Sequence, residues 1–187
     1  MQHDQMGNDM RMLLLALLLT ATTAGAAPLT ITYVAPDPSL IDTELSGRVW
    51  EMLKRETGAP AYIYPPRIVI EWDVPANARM VTTYPTAEQP DGELLIAISP
   101  ATLIENNRLR VAWALGHEMV HYLWILREND WQYRAVYRVR VRHHCNSQFQ
   151  QQTDRVADFI WSIYHNSDDQ SWAQDEAKRA CTSHPEQ

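Results

Sequence analysis

Residues 109–126 read LRVAWALGHEMVHYLWIL, and the rest of the chain can be arranged around them. Apolar side chains recur on almost every side: Val111, Leu115, Met119, Val120, Leu123, Trp124 and Leu126 leave only a narrow polar sector. A helix of that kind lies inside a core rather than on a surface. The sector left over carries His117, Glu118 and His121. With a rise of ~1.5 Å and a turn of ~100° per residue, His117 and His121 stand one turn apart and about 40° apart around the axis. Glu118 falls about 60° beyond His121. Two imidazoles so placed can bind one metal ion, with the carboxylate beside the ion rather than on it.

Residues 117–121 therefore form the H-E-x-x-H pattern of a zinc hydrolase. Zinc in such sites takes three protein ligands and keeps one position for water. The metal lowers the pKa of that water to about 7, and Glu118 is placed to take its proton as general base. Two histidines and a glutamate buried together without a metal would carry a desolvation cost on the order of several kcal/mol. One Zn2+ per chain is the expected cofactor.

Working outward, Ser99-Pro100 is a helix-start signal, a capping hydroxyl before a proline at the first helical position. Asn106 or Asn107 offers a second start, so residues 100–126 form one helix or two. Before them, 68–72, 79–84 and 93–98 read as three short strands separated by Pro65-Pro66, Pro75, Pro85 and Asp91-Gly92. Spacing this tight predicts a small, mostly antiparallel sheet. Further upstream, 29–34 alternates as a strand, and a helix capped by Ser39 runs to about Glu56, closed by Gly58 and Pro60. After the motif, 134–142 fits neither period. Its arginines read as a solvated face, with an anionic-ligand patch as the sharper reading. A further helix begins near Asn146 and runs to about Tyr164, and a polar tail follows from Ser167.

The chain has 187 residues, which argues for one domain, and its 45% hydrophobic fraction suits an ordinary core. A formal charge of -7 gives no reason to expect nucleic acid as a partner. Residues 1–26 read as a signal peptide: Arg11 precedes a short apolar run, and Ala24-Gly25-Ala26 fits the cleavage site. Met10 is an alternative start. The domain then occupies 27–187, with no membrane span after signal cleavage, in a bacterial periplasm or outside the cell. In that oxidising compartment the two cysteines, Cys145 and Cys181, pair as a disulfide. The competing reading makes Cys145, beside His143 and His144, a zinc ligand, which would block the open position catalysis needs.

The third ligand must come from outside the motif. Residues 122–130 contain neither the Gly nor the third His of the metzincin continuation. Asp154 in T-D-R-V-A-D is the better candidate, and Asp158 lies one helical turn beyond it. His143, His144 and His165 are the runners-up. The H-E-x-x-H and D-x-x-A-D pair resembles the gluzincin type of zincin metallopeptidase, whose downstream helix carries E-x-x-A-D. The resemblance implies Asp154 as ligand and Asp158 as hydrogen-bond partner of His117, fixing its tautomer. This chain has Asp where that pattern has Glu, one methylene shorter; Asp is the third ligand in the aspzincin group.

The resemblance covers only 109–126 and 154–161. The zincin plan implies an α+β fold, with the sheet packed on a buried H-E-x-x-H helix and a C-terminal helical part. It also implies an edge strand before that helix which adds an extended peptide, a place 93–98 would fill. Tyr133, Tyr137, His144, Tyr164 and His165 are candidates to stabilise the oxyanion. The expectation is an exported zinc peptidase acting on a peptide or protein. The alternative is a non-catalytic, zincin-derived binding module with a structural zinc.

Overall fold

The computed structural model describes residues 36–72, 74, 79–105, 107–139 and 142–164. The signal peptide, the strand expected at 29–34, His165, the polar tail and Cys181 lie outside them, and with Cys181 the expected disulfide. The fold class is α+β, as expected. Among the described residues no helix is long and apolar enough to cross a membrane.

The first helix, α1, spans Thr43–Thr57 and starts four residues after the expected Ser39 cap. Pro38–Leu40 forms a separate 3-10 turn capped by Asp37. Asp42 caps α1 through its carboxylate, which accepts from Leu45 N at 2.9 Å. Gly58 ends the helix in the left-handed region at φ 68°, a conformation glycine adopts without a Cβ penalty. The strands β1 (Ile68–Ile70), β2 (Met80–Thr83) and β3 (Leu95–Ile98) follow in the places read from the sequence. Their order is β1-β3-β2, parallel on one side of β3 and antiparallel on the other. The sheet is thus mixed rather than mostly antiparallel. β3 is its central strand, fully buried along its length, and not the expected edge. The edge strand that touches the motif helix is β2.

Two helices, not one, follow β3: α2 (Pro100–Glu105) and α3 (Arg108–Glu128). Asn107 makes the break, its side chain accepting from Arg110 N at 2.9 Å. α3 packs against α1, against β2 and β3, and against α4 (Ser147–Tyr164), which Asn146 caps. Fourteen of its residues are buried, from Leu109 to Leu126. Each fully buried Leu or Val among them contributes about 1.5–3 kcal/mol. Trp124 Nε1 donates to Gln152 Oε1 at 2.6 Å, fixing how α4 is rotated against α3.

Gly116, immediately before the first motif histidine, sets the approach of these two helices. A Cβ there would overlap Cγ1 of Val156 on α4 and sit 3.4 Å from Cγ1 of Val49 on α1. The glycine costs about 1 kcal/mol of helix propensity against alanine, and the tight crossing is what it permits. Gly116→Ala is therefore expected to lower stability by about 1–3 kcal/mol through overpacking. Urea unfolding should show Gly116→Ala/Val156→Ala recovering part of that loss; an undiminished Gly116→Ala protein would refute the constraint. Asp42 also accepts from the Tyr164 hydroxyl at 3.0 Å, joining the start of α1 to the end of α4. The Leu45 N–H holds the Asp42 carboxyl below the usual range, against the opposing effect of burial. Its stabilising effect is thus present above the unfolded-state pKa and lost as pH falls through the lowered one. Asp42→Ala should cost about 1 kcal/mol near neutral pH, a difference that closes in acid when the two unfolding curves are compared.

Candidate metal centre

His117 and His121 reach the same side of α3, as the helical spacing requires. His117 is buried; Glu118 and His121 are half-buried. What comes to meet them is decided by the chain after α3. Asn129, buried at the helix end, donates through Nδ2 to Ile125 O at 2.8 Å and to Arg138 O at 3.1 Å, and accepts from Arg138 N at 3.2 Å. One side chain thereby folds residue 138 back onto the helix. Asp130 and Trp131, both at φ 59°, make the reversal, and Trp131 N donates to Leu126 O at 2.7 Å. The returning chain forms a 3-10 turn, His143–Cys145, over the motif. Gln150 Nε2 pins it by donating to His144 O at 2.7 Å.

The turn delivers two consecutive histidines to the two nitrogens of one imidazole. His144 Nε2 lies 3.1 Å from His121 Nε2, and His143 Nδ1 lies 3.0 Å from His121 Nδ1. The ligand atoms of His117, His121 and His144 all fall within 4.8 Å of one another. Zinc–nitrogen bonds of ~2.0–2.1 Å at the tetrahedral angle place two ligand nitrogens roughly 3.3 Å apart, so the His121–His144 spacing suits a shared ion. Beneath them is the fully buried Phe149 of α4, its ring 4.5 Å from that of His121 and 5.4–5.6 Å from those of His117, His143 and His144. Burial against this apolar floor holds the pKa of His117 down at about 3 and that of His121 well below its usual value. The neighbouring imidazoles add to both shifts. These rings stay neutral, the state in which imidazole offers a lone pair to a metal. Nδ1 of His117 is buried with no hydrogen-bond partner. The cluster of three histidines can hold a metal ion.

Glu118 is held from the other side. Thr82 of β2 donates its backbone N–H to Glu118 Oε2 at 2.8 Å. The Thr82 hydroxyl lies 2.8 Å from the same oxygen and 2.9 Å from Glu118 O, sharing its one proton between them. Burial pushes the Glu118 carboxyl up to about 7, against these bonds. An outward N–H of the edge strand is therefore already taken by the motif glutamate. Glu118, His121, His143 and His144 line a cleft of about 540 Å³ together with Val81, Thr82, Tyr84, Ile125, Val139 and Arg142.

The structure places Asp154 and Asp158 apart from the histidine cluster. Both lie on the exposed stripe of α4, while Phe149, Gln152, Thr153, Val156, Ala157, Ile160 and Trp161 form its buried face. The Trp124–Gln152 bond and the Val156 contact fix that rotation, so neither aspartate joins the cluster. His144, a runner-up, takes the third place. Of the oxyanion candidates, Tyr133 sits beside the backbone of Tyr64, Tyr137 accepts from Arg134 N, and Tyr164 bonds Asp42. None of the three lines the cleft. Thr82, Phe149, Glu128 and Gly116 were not singled out by the sequence. Only Phe149 carried a signal, as the first apolar residue of the α4 face.

Comparison with protein-family models, with curated proteins and with solved structures finds no match to this chain. The site rests on its own geometry, and the third position discriminates. His144→Ala is expected to weaken zinc binding by at least tenfold in chelator competition, whereas Asp154→Ala leaves it unchanged. The reverse result would restore the aspartate ligand.

Proposed function

We propose that the protein is an exported zinc-dependent peptidase, hydrolysing an amide bond of a peptide or protein substrate in the cleft between β2 and α3. The observation that carries the reading is the convergence of His117, His121 and His144, two of which, His121 and His144, line that cleft together with Glu118. It is the arrangement expected of a zincin-type enzyme, with histidine as third ligand in place of the acidic residue of the gluzincin pattern. The signal read in residues 1–26 supports an address in the periplasm or outside the cell, and the cysteine pair suits that compartment.

Three imidazoles are the donor set of a catalytic zinc site with an open position. Zinc bound there supplies Lewis acidity, polarising the scissile carbonyl and making water nucleophilic near neutral pH. Glu118 accepts the proton of the attacking water as the new carbon–oxygen bond forms, then returns it to the amine nitrogen as the carbon–nitrogen bond breaks. Thr82 keeps the carboxylate aimed into the cleft rather than along the helix; its bonds fall on Oε2, so Oε1 takes no part in the clamp. Tyr84 and Arg142 are the cleft residues whose hydroxyl and guanidinium can meet the developing oxyanion.

A second reading draws on the same clamp. If Thr82 holds Glu118 permanently, the metal is structural and the domain is a binding module. Glu118→Gln separates the two. The peptidase reading expects one zinc per chain to be retained and hydrolysis of a fluorogenic peptide library to fall by roughly 10²–10⁴-fold. Chelation should abolish turnover and added zinc restore it. Hydrolysis that survives the substitution would overturn the peptidase, and zinc retained with no hydrolysis by the unsubstituted protein would favour the module.

A further inference from the structure

His143 plays no part in the chemistry above, yet it is buried against the motif helix with its side chain only 5% exposed. Its Nδ1 faces His121 Nδ1 at 3.0 Å. On its far side, Nε2 faces Glu128 Oε1 at 3.5 Å, an electrostatic contact rather than a hydrogen bond, and that side chain is itself only 11% exposed. Trp124 and Phe149 enclose the ring, their centroids both 5.5 Å away. Glu128 and His121 belong to the same helix, two turns apart. His143 therefore bridges the last turn of α3 to the middle of the motif.

The protons along this line can be placed by elimination. Two ring nitrogens at 3.0 Å cannot both carry hydrogen toward each other, nor both present lone pairs without repulsion, so one donates and the other accepts. The carboxyl oxygen that faces Nε2 favours a hydrogen on that ring nitrogen over a second lone pair turned toward it. A neutral His143 with its proton on Nε2 offers a lone pair on Nδ1. His121 must then donate from Nδ1, which leaves the lone pair of His121 on Nε2. That is the nitrogen facing His144 Nε2 at 3.1 Å.

We propose that Glu128 and His143 are positioning residues that orient His121: the ordered line Glu128–His143–His121 locks His121 as its Nδ1–H tautomer and aims its Nε2 lone pair at the point shared with His144. The inference rests on the reading that His117, His121 and His144 hold a metal. Partners behind a ligating histidine fix its ring and its tautomer, and their loss typically costs 10–100-fold in metal affinity. It also assigns the consecutive histidines of one turn different work, His144 toward the metal and His143 behind it. The gluzincin resemblance implies the same orienting function for Asp158 acting on His117; the geometry here gives it to a histidine–glutamate pair acting on His121.

The test is zinc affinity of the full chain by chelator competition, read alongside the circular dichroism of the zinc-free protein. Asparagine and leucine are close in shape, but only asparagine keeps an acceptor near the place of Nδ1. His143→Leu is expected to lose 10–100-fold in affinity, and His143→Asn to recover most of it. A merely space-filling role predicts the opposite order, since leucine packs better among Trp124 and Phe149. Glu128→Gln, which keeps an acceptor but removes the charge, should fall between the wild type and His143→Leu. Long-range nitrogen–proton NMR of the zinc-loaded wild type needs no substitution: it should find His121 protonated at Nδ1 and His143 at Nε2. The opposite tautomers, or unchanged affinity in His143→Leu while His117→Ala and His144→Ala lose zinc, would overturn the positioning role and leave the metal centre standing. Wild-type affinity in His117→Ala and His144→Ala would instead remove the metal centre, and the positioning role with it.

Discussion

The burial of α3 is the constraint on which the rest depends. A helix packed between two other helices and a sheet leaves little water for the polar side chains of its middle turns, so these need answers from elsewhere in the chain. Glu118 is answered by Thr82 from β2, at 2.8 Å through both backbone and hydroxyl. Trp124 is answered by Gln152 of α4, and His121 by His143 and His144 from the 3-10 turn. Nδ1 of His117 receives none. The site is the sum of these answers, and a metal fits where they leave lone pairs facing one another.

The approach of α4 makes this enclosure possible. Gly116 lets Val156 close against the helix directly before His117, and the same face of α4 brings Phe149 under the four imidazoles. An apolar floor removes water, which holds the His117 and His121 rings neutral and makes their lone pairs available. Packing and chemistry are therefore set by one helix crossing.

The local part of this was legible in the sequence. The full-length apolar coating of α3 fixed its place in the core, and helical spacing alone placed His117, Glu118 and His121. The three strands were found because prolines and the Asp91-Gly92 turn separate them. What could not be read was pairing and rotation. The order β1-β3-β2 depends on contacts between strands that no single strand encodes, so the edge place that the zincin plan implies for 93–98 is not met, and β3 lies at the centre. Asp154 and Asp158 sit at an attractive spacing, but Val156, Ala157, Ile160 and Trp161 already declared the opposite face of α4 to be the buried one. His144 was visible only as one of several histidines, because its place depends on a reversal built from Asn129 and two residues at positive φ. Irregular chain of that kind has no period to detect.

The reversal has a further consequence. His121 and His144 are 23 residues apart, and from the end of α3 at Glu128 to the 3-10 turn at His143 the described residues form no regular helix or strand. An ion held by both would act as a removable cross-link closing that loop, its effect on stability arising largely in the unfolded chain, where it restricts the conformations the segment can sample. The entropy of one irregular stretch would then be coupled to the metal supply of the compartment. The helices would keep their packing without it, while the turn carrying His143 and His144 would be the part of the fold whose order rises and falls with the ion.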